Sequence, residues 1–149
     1  MLGELNETQI DSLLLSQVVG RIGCTDGKKP YITPVTYVFD GKDIIGQTKE
    51  GMKLKIMRKN PMVCFEVDVM SGMTNWQSVV VSGNFCELEG KEADEARAYL
   101  FDHVLPLMTS ASIHSHEHGI NGKVDDSNRV KPVMYRIKIK EKSGRFEKQ

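Results

Sequence analysis

The chain has 149 residues, 40% of them hydrophobic and 27% charged, which suits one globular domain spanning residues 1–149 with its own core. Lysine plus arginine equals aspartate plus glutamate at 20 each, and the isoelectric point is near 6.9, so no overall charge bias draws it to nucleic acid or to a membrane surface. No apolar run is long enough to cross a bilayer, and the start MLGELNETQIDSLLL lacks the basic opening of a secretory signal, pointing to a cytoplasmic protein.

Asn6 and Thr8 are both plausible helix N-caps, with Gln9 three residues after Asn6. Ile10, Leu13, Leu14 and Val18 follow at helical spacing. VGRIGCT then runs into TDGKK, and PYITPVTYVF into DGKD. Strand-like segments broken by Asp-Gly chemistry predict a three-strand meander over residues 18–48. Pro34 cannot donate to a ladder, so it marks an edge, a bulge or a break where something else approaches the backbone.

Residues 46–61, GQTKEGMKLKIMRKNP, read as strand, glycine-bearing loop and short basic helix. At about 100° per residue, Met52, Leu54, Ile56 and Met57 form an apolar arc, and Lys55, Arg58 and Lys59 share the opposite face. Lys53 falls inside the apolar arc. A cation there requires a negative partner, and a helix start favours anions such as phosphate. The local pattern leaves open a bound anion, a neighbouring carboxylate, or a side chain that snorkels its ammonium out to solvent.

Val63, Phe65, Val67 and Val69 alternate with Cys64, Glu66 and Asp68 as a half-polar strand. SGMTN is turn-like, and WQSVVVSGNFCEL is a long strand whose Gly83 permits a bulge or sharp curvature. Helical spacing resumes over residues 89–107 through Ala93, Ala96, Tyr99, Leu100 and Val104. Residues 109–132 read as a long polar loop containing HSHEHG. Its His114, His116 and His118 invite a metal reading, but no second ligand cluster accompanies them, and no metal site is expected. The final strand alternates Val133, Tyr135, Ile137 and Ile139 with basic residues. Cys24, Cys64 and Cys86 are odd in number and far apart, and read as reduced core residues rather than a disulfide framework.

About six hairpin-linked strands with two or three helices suggest an α+β, mainly antiparallel barrel. No GxGxxG or GxxxxGK[ST] occurs. The order VGRIGCT, DGKKPYITPVTYVFD, IIGQTKEGMKLKIMRKNPMVCFEVD, NWQSVVVSGNFCELEG and YRIKIKEKSGRFE resembles the pyridoxamine 5′-phosphate oxidase-like split-barrel flavoproteins, and within them the branch that includes the nitroimidazole-resistance and general stress proteins. The resemblance covers residues 18–147. It implies a six-stranded split β-barrel with flanking helices, working as a homodimer with FMN at the subunit interface. It places the FMN phosphate at Gln47, Thr48 and Lys53, and the ring's polar edge along Pro34, Val35 and Thr36. Trp76, Gln77 and Ser78 become ring or phosphate contacts from the partner chain, with core packing as the competing reading for Trp76. Relatives commonly carry arginine before that lysine, where this chain has Met52. The histidine found near the strand end in nitroimidazole-resistance relatives is absent at Gly46 and Gln47. Only the fragment at residues 144–147 matches the oxidases' longer substrate-binding C-terminus. What the resemblance implies is an FMN-dependent oxidoreductase drawing on NAD(P)H and acting on a small molecule. The alternatives are an FMN-carrying stress or regulatory protein, or deazaflavin or haem in place of FMN.

Overall fold

The computed structural model describes residues 1–104 and 132–149. The capping box read at the N-terminus is present: Gln9 N–H donates to the Asn6 side chain at 2.9 Å, and Asn6 N–H donates to the Gln9 side chain at 2.8 Å. It starts helix α1 (Glu7–Ser16), which buries Ile10, Leu13 and Leu14. The meander follows as strands β2 (Val19–Thr25), β3 (Pro30–Phe39) and β4 (Ile44–Thr48). Both of its turns are built by an aspartate accepting from backbone N–H groups, Asp26 from Lys28 and Lys29, and Asp40 from Lys42 and Asp43. Gly27 and Gly41 each take φ near 92°, a conformation only glycine adopts at little cost.

Helix α2 (Met52–Lys59), strands β5 (Met62–Gly72) and β6 (Asn75–Glu87), helix α3 (Gly90–Val104) and strand β7 (Val133–Glu147) complete the chain with a short first strand, β1 (Leu2–Glu4). All pairings are antiparallel, in the order β1-β7-β4-β3-β2-β5-β6. Because β6 also pairs with β7, strands β2 to β7 close into a six-stranded ring, and β1 attaches to the end of β7. This is the expected α+β split barrel. Closure depends on Gly83, where the β6–β7 register shifts and an added Cβ would collide with the Lys138 carbonyl.

Inward alternation fills the barrel with Ile22, Tyr37, Phe39, Ile44, Phe65, Val67, Val79, Val81 and Tyr135. Helix α1 joins this core through Leu13 and Leu14, and Tyr37 Oη donates to the Leu14 carbonyl at 2.7 Å. Helix α2 joins it through Leu54, Ile56 and Met57. Helix α3 covers the outside of β3 and β4, packing Ala93, Ala96, Leu100 and Val104 on Val38 and Ile45.

Three expectations change. Met52, placed on the apolar arc, is 64% exposed, because the helix turns Leu54, Ile56 and Met57 toward the core and leaves its first residue uncovered. Cys64, read as core, lies on the outward face of β5 with Glu66 and Asp68, while Cys24 is buried and Cys86 intermediate. The strand β1 was not foreseen. The loop over residues 109–132, with His114, His116 and His118, lies almost entirely outside the described residues.

Candidate functional site

The turn from β4 into α2 brings Gln47, Thr48 and Lys53 within six residues of one another. Gln47 is exposed and Thr48 buried, its hydroxyl donating a long 3.4 Å bond to the Lys49 carbonyl. Gly51 at the N-cap offers no side chain to the first N–H groups of α2, which leaves donors directed at whatever lies before the helix. Nearby carboxylates are already committed. Arg58 grips Glu50 through both terminal nitrogens at 2.9 and 3.1 Å and Glu87 at 2.7 and 3.0 Å. That double fork pins the loop to α2 and β6, and Arg58 holds the Glu87 carboxyl below its usual range.

Lys53 has no such partner. It is half-buried, and among the described residues it has neither a carboxylate within 4.0 Å nor a hydrogen bond. Burial depresses its pKa, with the Cys24 thiol opposing the shift, while burial raises the pKa of Cys24 itself. A cation at a helix N-terminus also works against the helix dipole. An anion placed there would satisfy the ammonium and the open N–H groups together.

The second group of expected residues lies on the outward face of β3, β2, β5 and β6. Pro34 stands opposite Arg21, and Thr36 opposite Val19. Tyr37 N–H donates to the Val18 carbonyl, and by alternation the Pro34 nitrogen faces away from β2, on the side where β4 pairs only with Tyr37–Phe39. Beyond Tyr37 that edge of β3 has no strand partner among the described residues, so the proline removes no ladder bond. Val35 turns inward and is 7% exposed. Arg21 bridges Glu66 at 3.2 Å and Asp68 at 3.0 Å, and Ser78 Oγ donates to Glu66 at 2.9 Å. Burial first, and Asp68 beside it, raise the Glu66 pKa against the pull of Ser78 and Arg21.

Trp76 and Gln77 sit at the far end of β6. The Trp76 indole N–H donates to Glu147 at 3.0 Å, and the ring is half-buried. Trp76 pairs with Met70, whereas Cys64 pairs with Gly23, beside Cys24. Six strand residues separate those levels, about 20 Å at ~3.4 Å per residue. One chain thus carries Gln47, Thr48 and Lys53 on the segment from β4 into α2, with Gln47 and Thr48 on opposite faces of the strand. It holds Pro34, Thr36 and Ser78 on the outward sheet surface with β2 and β5 between them, and leaves Trp76 and Gln77 far from Lys53. Two residues that the sequence did not single out belong to the outward face: Arg21 at its centre, and exposed Arg145, which stands opposite Ser78. The alternation of VGRIGCT does point Arg21 outward, but the neighbour of Arg145 depends on a register between distant strands. Among the described residues no group of three or more His, Cys, Asp or Glu side chains is placed to hold a metal ion, and no helix is long and apolar enough to cross a membrane.

Closed ring, α2 turn and outward face together can be set against known proteins. The pyridoxamine 5′-phosphate oxidase family pattern matches residues 6–146. The chain belongs to that family. Among solved structures, an FAD-binding protein from Mesorhizobium loti is similar over 100% of this chain and 98% of its own, with 25% identity and a TM-score of 0.77. A candidate 5-nitroimidazole antibiotic resistance protein from Bacteroides thetaiotaomicron shares the fold at 15% identity and a TM-score of 0.71, over 98% of this chain and 87% of that one. An uncharacterized protein of Rhizobium meliloti is 34% identical over 70 residues, a stretch that takes in 47% of this chain and 46% of that relative.

Proposed function

We propose that this chain is an FMN-binding flavoprotein that works as a homodimer and transfers electrons from a reduced nicotinamide to a small molecule. The observation that carries the flavin is Lys53, a half-buried cation at a helix start with no carboxylate within 4.0 Å among the described residues. A phosphate supplies the charge and acceptors that this position requires. Gln47 and Thr48 stand at the adjoining strand end as its further hydrogen-bonding groups. Pro34 and Thr36 offer the free backbone edge of β3 to the polar rim of a flat ring, with Val35 between them paired to β2. The family, and a similar protein that binds FAD, support a flavin as the owner of that phosphate.

The homodimer rests on the outward face. Val19 is 50% exposed, Ile32 76% and Val80 42%, and they surround the Arg21 cluster on a continuous sheet surface. Such a surface fits a second copy better than water. A second copy would also bring Trp76, Gln77 and Ser78 to a flavin whose phosphate lies at Lys53 of the first.

A bound flavin supplies the two-electron chemistry. The protein's part is to anchor the phosphate, fix the ring and control access. The test is the visible spectrum of the purified protein, followed by anaerobic addition of NADH and NADPH. Flavin absorption that bleaches with either nucleotide is expected. A protein that neither carries nor takes up FMN sinks the cofactor reading. Bound FMN that neither nucleotide reduces sinks the nicotinamide-linked enzyme and leaves a flavin carrier.

A further inference from the structure

The charged cluster on the outward face is unbalanced. Glu66 stands between Arg21 of β2 and Val80 of β6, and Asp68 follows two residues later on the same face of β5. One guanidinium nitrogen of Arg21 serves both carboxylates, at 3.2 and 3.0 Å, and Ser78 Oγ donates to the second Glu66 oxygen at 2.9 Å. Two negative charges thus share one positive charge. The row through Asp68 and Ser78 continues to Arg145 of β7 and Glu4 of β1, which add one charge of each sign. Pro34 and Thr36 flank the cluster from β3 and do not titrate, and Cys64 is the other titratable group beside it on β5. The excess is one negative charge per copy. In a single chain water bears it, because Arg21 and Asp68 are exposed and Glu66 is half-buried.

We propose that pairing of two copies through this face takes up a proton at Glu66 in each copy, so that the dimer tightens as the pH falls. The inference rests on the outward face being the dimer interface. Apposition withdraws two such excess charges from water together, and a buried charge without a partner is costly. Glu66 is the group that can shed it. Burial, and then Asp68 beside it, already favour its neutral form, and a protonated Glu66 can donate to Asp68 while Arg21 keeps its own bond to Asp68. The Glu66 pKa is therefore higher in the dimer than in the single chain, and by linkage the proton and the second copy favour each other. Between those two pKa values the dissociation constant falls with falling pH, by up to about a hundredfold per pH unit for two protons. Above both values the dimer gains nothing from the proton.

Sedimentation velocity over a dilution series of the purified protein measures the dissociation constant at pH 8 and at pH 6. Ionic strength is held fixed, because salt screens the same charges. The constant is expected to be at least about tenfold smaller at pH 6. Glu66→Gln places a neutral amide where the protonated carboxyl would sit, with an N–H for Asp68. This variant should dimerise at pH 8 as tightly as the native chain does at pH 6, to within about threefold, and keep that constant at both pH values. A native constant that holds or rises toward pH 6 overturns the proposal, and so does a Glu66→Gln dimer that retains the native pH dependence. The two readings fail differently. A native chain that dimerises equally at both pH values keeps the homodimer and removes the proton from it, whereas a chain that stays monomeric at every concentration and pH removes both.

Discussion

At Lys53 the side chain opposes its own surroundings, since burial favours the neutral amine and the helix start favours an anion. Lys53→Met keeps the shape and removes the charge. Flavin affinity should fall at least about tenfold, equivalent to ~1.4 kcal/mol, while the urea midpoint of flavin-free protein holds or rises, because no buried ammonium then remains without a partner. A flavin titration and a urea melt on the same sample check both halves, and a fall in stability with unchanged flavin affinity would make Lys53 structural. The pH dependence has a definite sign. With its native pKa lowered, Lys53 releases its proton before the unfolded chain does, so flavin-free stability rises with pH from that native value up to the ordinary lysine value of about 10.4. Lys53→Met should flatten that rise. Tyr135 is a second residue at odds with its site. Its hydroxyl is fully buried without a hydrogen-bond partner among the described residues, packed against Gly46, and burial drives its pKa far up. Tyr135→Phe removes a dehydrated polar group and should stabilise the protein by about 1 kcal/mol, as measured by urea unfolding.

Elements are locked to one another at the β3–β4 hairpin and at the β6–β7 seam. Asp40 accepts from its own turn and from Arg136 of β7 at 2.7 Å, and Asp43, 6% exposed, accepts from Ile139 N–H at 3.1 Å and from Arg136 at 3.4 Å. Burial pushes the Asp40 pKa up, but the Asp43 and Lys42 N–H groups and the Arg136 guanidinium together outweigh it and hold the carboxyl low. The stability it contributes is fully present above the ordinary aspartate value of about 3.9 and is lost as pH falls through its lower native value. Asp40→Asn should cost about 1–3 kcal/mol at neutral pH and flatten the acid limb of a stability-versus-pH curve. These hairpins were legible because Asp-Gly turns and alternating strands are local signals, and Gly83 was legible as a point of curvature. Strand β1 was not, since three residues carry no period and pair with the far end of the chain. Periodicity assigned Met52 and Cys64 to faces, but not whether anything covers those faces. For the site, the position of Lys53 was readable from its helix. Its isolation was not, because periodicity does not show which side chains of other strands stand beside it, and the titratable neighbour found there is Cys24 of β2.

For the whole molecule, the proposed dimer rests on the arrangement of the outward face. Arg21, Glu66, Asp68 and Ser78 form a bonded cluster at its centre, and exposed valines and Ile32 lie around it. The cluster satisfies itself within one chain, so apposing two copies leaves its charges bonded while the apolar surround is withdrawn from water, at about 25 cal/mol per Å². Val80 offers a clean test. It points outward on β6 opposite Glu66, away from the barrel core, so Val80→Glu leaves the fold intact and adds a second acidic group next to Glu66 in each copy. Light scattering should show a dimer for the native chain and a monomer for the variant, with matching circular dichroism and a loss of flavin at least tenfold larger than the change in melting behaviour would suggest. If Val80→Glu remains dimeric, this face is not the interface. If it becomes monomeric but keeps its flavin, one chain suffices to hold the cofactor, and Trp76, Gln77 and Ser78 of a second copy are not part of the site.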